Sequence, residues 1–244
     1  MKGPIFDTHA HYCSTRFDPD REELLARLPE EGVVGVCECA THSGDAALAV
    51  ALAHKFPYVW AAVGIHPESL IEEDAATVAV YRGDWAAELR DMAPLFEDER
   101  VVAVGECGLD HHWPIPEQAQ LDLLEAQLKL AREKLERGMA GFLTQPVLTP
   151  KGFENLKRAR SELSGAWLLG GIIPVVSARN ARFMDSEING INVDPRITEL
   201  YEGKDRAEGE ALAVEISTEI ARRIAPYVDG FYLMTPFQRT GLIC

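Results

Sequence analysis

The chain has 244 residues, of which 47% are hydrophobic and 26% charged, and its formal net charge is −15. This composition is typical of a globular protein with one large domain or two small ones. The acidic balance disfavours broad binding along nucleic-acid backbones, but it allows one nucleic-acid end to enter a pocket. The sequence predicts no transmembrane span and no signal peptide. Because the five cysteines are odd in number, we expect reduced thiols and a cytoplasmic protein.

Hydrophobic patterning in the first half of the chain alternates strands with helices. An N-terminal strand ends at His11, and the next predicted strands cover Val33–Ala40, Tyr58–Ile65 and Val101–Cys107. The intervening predicted helices cover Arg21–Leu28, Thr41–Lys55, Asp84–Met92 and Glu117–Arg137.

The second half keeps the same rhythm. Its predicted strands are Gly141–Leu148, Trp167–Val176 and Gly230–Met234; its predicted helices are Pro150–Leu163, a short helix from Ser177 to Met184, and Arg206–Ala225, with a loop over Ile188–Ile197. Strands that alternate with helices predict a parallel sheet, and at this length they predict one α/β domain over residues 1–244 with a TIM-barrel-like fold. The pattern contains seven strands instead of eight. We therefore expect an open sheet edge that could pair with a second copy in a homodimer.

Candidate metal ligands lie at predicted strand ends. Alternation along a strand places His9 and His11 on one face, together with Asp7. Glu106 ends the fourth strand and His66 the third, and the carboxyl ends of barrel strands meet at one mouth. Two imidazoles and one carboxylate form a common ligand set for a divalent metal. The alternative is two histidines with ordinary hydrogen bonds and a carboxylate paired with a neighbouring His or Arg.

Three motifs follow one another in the first half: Phe6-Asp7-Thr8-His9-Ala10-His11, Ala62-Val63-Gly64-Ile65-His66-Pro67 and Val104-Gly105-Glu106-Cys107-Gly108-Leu109-Asp110. In order and spacing, residues 4–134 resemble the TatD family of metal-dependent deoxyribonucleases. The resemblance implies a (β/α)₈ barrel with a divalent-metal site. It places His9, His11 and Glu106 at metal-ligand positions, with Glu106 and His66 as catalytic residues and His66 near the substrate phosphate.

The second half departs from that family. The family also uses histidines from its fifth and sixth strands and an aspartate from its last strand, whereas all seven histidines here lie at or before His112. Residues 135–244 resemble the last three strands of methylenetetrahydrofolate reductases, and by that resemblance Gln145 and Arg239 contact substrate on the folate side. The motifs concerned are Gly141-Phe142-Leu143-Thr144-Gln145-Pro146-Val147, Gly170-Gly171-Ile172-Ile173-Pro174-Val175, Ser177-Ala178-Arg179-Asn180 and Tyr232-Leu233-Met234-Thr235-Pro236-Phe237-Gln238-Arg239.

These two resemblances lead to three functional hypotheses. The first interprets the chain as an engineered chimera of a TatD-like fragment (1–134) and a reductase-like fragment (135–244), with no evolved activity and a partial metal site. The second is a weak TatD-type phosphodiesterase or deoxyribonuclease, a hydrolase that uses Zn²⁺, Mg²⁺ or Mn²⁺. The third is a flavin or folate binder, although we expect no FAD because the half that would hold it is absent. Asp110, His111 and His112 are predicted to be exposed polar residues or substrate contacts.

Overall fold

The computed structural model of the protein describes residues 4–71, 80–110, 114–136, 141–163, 165–188 and 191–235. The chain divides into two compact units, residues 1–139 and residues 140–244. Each unit consists of parallel strands connected by helices, which confirms the predicted α/β class.

The first unit contains a four-stranded parallel sheet in the order β1-β2-β3-β4. Its strands are β1 (Ile5–Ala10), β2 (Val33–Cys39), β3 (Val59–Val63) and β4 (Val101–Val104), and its helices are α1 (Arg21–Arg27), α2 (Ser43–Lys55), α3 (Trp85–Asp91), α4 (Ala93–Phe96) and α5 (Glu117–Glu136). Short and β-branched residues of the strands, Val36, Val59 and Ala61 among them, are completely buried. Leu25 and Leu123 pack from α1 and α5 into the same core. This core fixes the strand ends at which the candidate ligands lie.

The second unit contains a three-stranded parallel sheet in the order β5-β6-β7. Its strands are β5 (Gly141–Pro146), β6 (Trp167–Ile172) and β7 (Gly230–Leu233), and its helices are α6 (Pro150–Glu162), α7 (Ala178–Glu187), α8 (Pro195–Leu200) and α9 (Arg206–Ile224). Leu156, Leu168 and Ile224 form one buried cluster of this unit, and Val175 and Met184 belong to another.

Helix α8 corrects the predicted loop over Ile188–Ile197. Asp194 caps this helix, because its side chain accepts a hydrogen bond from the Arg196 N–H, and Pro195 occupies the first helical position. Asp followed by Pro is a helix-start signal that outweighs the loop-forming character of the preceding residues.

The described residues contain the predicted number of strands, seven, in two sheets. Closure of the strands into one TIM-barrel-like domain stays a prediction. None of the helices in the described ranges is long and apolar enough to cross a membrane, and the cytoplasmic location stays a prediction.

Candidate metal centre

Two histidine rings converge at the carboxyl end of β1. The pairing of β1 with β2 is irregular here, since the three steps from Asp7 to Ala10 face only two steps along β2. A bulge of this kind changes the direction in which side chains point. The Nε2 atoms of His9 and His11 lie 3.0 Å apart, and the ring centroids lie 4.8 Å apart. The two rings therefore present their outer nitrogens to the same point.

Glu106 brings a carboxylate to these two rings. It lies two residues beyond the end of β4, and its backbone N–H donates a 2.8 Å hydrogen bond to the carbonyl oxygen of Ala40. Its Oε2 atom lies 3.5 Å from the Nε2 atom of His9 and 3.5 Å from that of His11. One ligand atom from each of the three side chains thus lies within 4.8 Å of the others.

The spacing of these three atoms matches the coordination shell of a divalent cation. Ligands about 2.1 Å from a metal are separated by about 3.4 Å in a tetrahedral shell and by about 3.0 Å in an octahedral one. The observed separations of 3.0, 3.5 and 3.5 Å agree with these values. The donor set of two imidazole nitrogens and one carboxylate oxygen therefore fits a divalent metal without large rearrangement.

A backbone carbonyl group fixes the orientation of the His11 ring. The Nδ1 atom of His11 lies 2.8 Å from the carbonyl oxygen of Cys39, so Nδ1 carries the proton and donates it to that oxygen. The Nε2 atom of His11 is left with a lone pair for a metal. A hydrogen-bond partner on the other ring nitrogen commonly fixes the tautomer of a metal-binding histidine in this way. The backbone N–H of His9 donates to Oδ1 of Asp7 over 3.2 Å, which restrains the chain just before the ring.

The loop that follows His11 is held by two charged side chains. Glu38, which is completely buried on β2, accepts a 2.5 Å hydrogen bond from the backbone N–H of Cys13. Arg21 donates to the carbonyl oxygens of Tyr12 and Ser14 over 2.5 and 2.9 Å. Burial raises the pKa of Glu38, and its Oε2 atom has no hydrogen-bond partner among the described residues. These contacts hold the backbone of residues 12–14, just after His11.

The electrostatics of the centre favour an ionised carboxylate. Burial raises the pKa of Glu106, but the hydrogen bond with His9 and the charges of His9, His66 and His11 outweigh this effect and hold the pKa below its usual range. The pKa of His9 is raised, chiefly by its hydrogen bond to Glu106. Glu106 is therefore an anion at neutral pH, as a cation ligand must be.

Comparison with known proteins identifies the family. The model of the family described as "TatD related DNase" matches residues 6–135, more than half of the chain. The chain belongs to this family. It is 36% identical over 132 residues to the "3'-5' ssDNA/RNA exonuclease TatD" of Erwinia tasmaniensis, a match that covers 53% of this chain and 46% of the relative. It is 33% identical over 133 residues to the "Uncharacterized metal-dependent hydrolase YabD" of Bacillus subtilis, covering 53% of this chain and 47% of that protein.

The chain spans about half the length of these curated relatives. Among solved structures, it is similar to the TatD homologue YJJV from Escherichia coli K12, with 22% identity and a TM-score of 0.49 over 91% of this chain and 95% of that one.

Family membership corrects the first functional hypothesis. The interpretation as an engineered chimera without evolved activity is wrong, because the family match and relatives named as a nuclease and a metal-dependent hydrolase support a TatD-type metal-dependent nuclease. That interpretation relied on the resemblance of residues 135–244 to a second family and on the histidines missing from the second half. However, His9, His11 and Glu106 all lie inside the matched segment and already converge there. The resemblance of residues 135–244 to methylenetetrahydrofolate reductases stays a prediction.

The other predicted site residues are His66, Gln145 and Arg239, and the structure describes the first two. His66 follows β3, and its Nδ1 atom accepts a hydrogen bond from the backbone N–H of Glu68 over 3.2 Å. Its own backbone N–H donates to the Thr41 carbonyl oxygen over 2.7 Å. Gln145 lies on β5 with its side chain exposed, in the second unit. Arg239 lies outside the described residues. The roles assigned to these three residues stay predictions.

The loop after β4 differs from its prediction. Asp110 is buried, with 1% of its surface exposed, instead of facing solvent. The side chain of Gln120 explains this burial, since it accepts from the backbone N–H of Asp110 over 2.6 Å and donates to the carbonyl oxygens of Asp110 and Ile115. His111 and His112 lie outside the described residues.

Three buried polar side chains of the first unit were not predicted from the sequence: Glu38, Gln120 and Gln127. The sequence does contain a signal for each. Glu38 interrupts the otherwise apolar run of β2, and the two glutamines share the spacing of Leu123 on the buried face of α5. A polar residue at a core position indicates a specific partner, and here each partner is a backbone group.

Proposed function

We propose that the protein is a metal-dependent nuclease of the TatD type, and that His9, His11 and Glu106 hold its divalent cation. The observation that carries the proposal is the convergence of their three ligand atoms within 4.8 Å of one another. Membership of the TatD related DNase family supports the same reaction class.

The ligand chemistry favours Zn²⁺ or Mn²⁺ over Mg²⁺. Imidazole nitrogen suits zinc and other transition metals, whereas magnesium prefers oxygen ligands. When bound, such a cation would supply positive charge to the phosphoryl group and activate water for attack at neutral pH. Coordination positions beyond the three ligands are proposed to remain available to water and substrate.

His66 is proposed to bind the substrate phosphate. Its Nδ1 atom accepts the Glu68 N–H, so the proton of the neutral ring is on Nε2. An Nε2–H group can donate a hydrogen bond to a phosphate oxygen. His66 is among the side chains whose charge lowers the pKa of Glu106, which supports a place for it beside the metal centre.

The proposed substrate is a single-stranded nucleic acid that is attacked from its 3′ end, by analogy with the exonuclease name of the Erwinia relative. In the reaction, the oxygen of water bonds to phosphorus, the P–O bond to the leaving nucleotide breaks, and a proton from water passes to the leaving oxygen. The net charge of −15 disfavours contact along a long phosphate backbone, which agrees with the capture of one strand end.

The proposal can be tested with 5′-labelled single-stranded DNA and RNA oligonucleotides. Protein stripped with EDTA and reloaded with Zn²⁺, Mn²⁺ or Mg²⁺ should shorten them progressively from the 3′ end. Glu106→Ala should lose this activity. Glu99→Ala, a change to an exposed glutamate ahead of β4, should retain it. Absence of cleavage by the wild-type protein with all three ions would overturn the proposal.

A further inference from the structure

Gln127 of helix α5 holds the chain next to His66 with both ends of its amide. Its side chain is completely buried. The Oε1 atom accepts a 2.7 Å hydrogen bond from the backbone N–H of Ile65, and Nε2 donates a 3.0 Å hydrogen bond to the carbonyl oxygen of the same residue. Both polar atoms of the side chain are therefore used on the single residue that precedes His66.

These two hydrogen bonds take the place of the backbone hydrogen bonds that a neighbouring strand would make with Ile65. Strand β3 ends at Val63, two residues before Ile65. Ile65 is completely buried, so an unpaired N–H or carbonyl group there would be costly. The amide of Gln127 presents one acceptor and one donor, as a neighbouring strand would. An ionised glutamate lacks the donor, and methionine or leucine offers neither group.

The same side chain also packs where β3 and β4 end. A Cβ atom added to Gly64 would lie 2.8 Å from the Cα atom of Gly105 and 3.0 Å from Oε1 of Gln127. The backbones that lead to His66 and to Glu106 therefore touch each other beside the Gln127 amide. The hydrogen bonds of this amide are to Ile65, so their loss acts on the backbone that leads to His66.

We propose that Gln127 is a positioning residue that sets the placement of His66 relative to the metal centre and so determines how well the phosphate of the substrate is bound. The inference rests on the proposed function, in which His66 contacts that phosphate. Both hydrogen bonds of the Gln127 side chain described above are to Ile65, so it acts through the backbone of that residue. Loss of the two hydrogen bonds should therefore weaken substrate binding while the three metal ligands stay in place.

The test compares Gln127→Met, which has a similar length and no hydrogen-bonding amide, with Leu123→Ala. Leu123 is buried on the same helix in the hydrophobic core, which makes it a control for simple destabilisation. Gln127→Glu is a milder second variant, because burial favours the protonated carboxyl, which keeps an acceptor for the Ile65 N–H and one O–H donor. Metal content, kcat and KM on a single-stranded DNA oligonucleotide, and amide hydrogen exchange of segment 59–71 are measured for each.

Gln127→Met should keep the wild-type metal content but lower kcat/KM by about 10- to 100-fold, mainly by raising KM. Losses of this size are typical when a residue that hydrogen-bonds to a site residue is replaced. Gln127→Glu should lie between it and the wild type. Segment 59–71 should exchange faster in Gln127→Met, while Leu123→Ala should keep KM within about twofold of the wild type. An unchanged KM in both Gln127 variants, or an equal change in Leu123→Ala, would overturn the inference.

The hydrogen-exchange measurement separates this inference from the proposed function. A wild-type protein without nuclease activity would overturn the proposed function alone. In that case faster exchange of segment 59–71 in Gln127→Met, but not in Leu123→Ala, would still support the positioning role, and equal exchange in the two variants would overturn it.

Discussion

Gly64→Ala should disturb the metal centre from a distance. The added Cβ atom would lie 2.7 Å from the carbonyl carbon of Gly105 and 2.8 Å from its Cα atom. Carbon atoms in ordinary contact are about 3.5–4.0 Å apart, so the two backbones must separate by roughly 0.7–1.3 Å. Neither neighbour is the end of a flexible side chain, and overpacking of this kind costs about 1–3 kcal/mol of unfolding free energy.

The separation should also reduce metal affinity, because Glu106 directly follows Gly105 along the chain. Ligand distances in metal sites are held to within about 0.2 Å, so a shift of roughly 0.7 Å takes the carboxylate out of the shell it shares with His9 and His11. We expect zinc affinity to fall by about 10- to 100-fold. Urea denaturation of the metal-free protein measures the first effect, and calorimetric titration with Zn²⁺ measures the second.

Gly108→Ala is the matched control for this experiment. It places the same methyl group in the loop after β4, where a Cβ atom would meet nothing within 4 Å. It should leave zinc affinity unchanged. If Gly64→Ala and Gly108→Ala showed the same stability and the same zinc affinity, the argument that the contact between Gly64 and Gly105 sets the position of Glu106 would be refuted.

Three further predictions concern stability and assembly. Arg160→Met should lower the unfolding midpoint of the second unit without changing metal content, because Arg160 donates to the carbonyl oxygens of Tyr227 and Ala166 and pairs with Asp229; differential scanning calorimetry measures this, and an unchanged midpoint would contradict it. His54 and then the backbone of Arg100 lower the pKa of Asp98, so the folded-state value lies below the unfolded one. The stabilisation that ionised Asp98 contributes is therefore present above the pKa of the unfolded state, and it is lost as the pH falls through the pKa of the folded state. Asp98→Asn should thus cost up to about 1 kcal/mol near pH 7 and little below pH 3, as judged by urea midpoints at the two pH values. We also propose that an open sheet edge pairs with a second copy of the chain, so light scattering should detect a dimer, whereas a monomer throughout a hundredfold dilution would argue against it.

Hydrophobic periodicity predicted the order and type of most elements, since buried strands and amphipathic helices leave clear patterns in the sequence. It overestimated the strands at their carboxyl ends. Predicted strand Tyr58–Ile65 stops at Val63, because Ile65 bonds to a side chain of helix α5. Predicted strand Val101–Cys107 stops at Val104, after which Glu106 turns to bond with the Ala40 carbonyl oxygen.

The candidate ligands were predictable for a similar reason. His9 and His11 alternate along one strand, and Glu106 lies at the end of another, so strand geometry alone places them at one edge. The supporting residues were not predictable in this way. Glu38 and Gln127 act on backbone groups that are distant in sequence, 25 and 62 residues away, and no periodic pattern encodes such pairs. The predicted function was incorrect because the resemblance of residues 135–244 to a second family and the histidines absent from the second half were both treated as decisive.

The most direct test of the metal centre is the metal content of the purified protein before and after a single substitution. Wild-type protein and Glu99→Ala should each bind one divalent ion per chain after dialysis against Zn²⁺ and removal of free metal, as measured by elemental analysis. Glu106→Ala should bind none or far less, because it removes the only anionic member of the three-ligand group. Equal metal content in Glu106→Ala and the wild type would contradict the account.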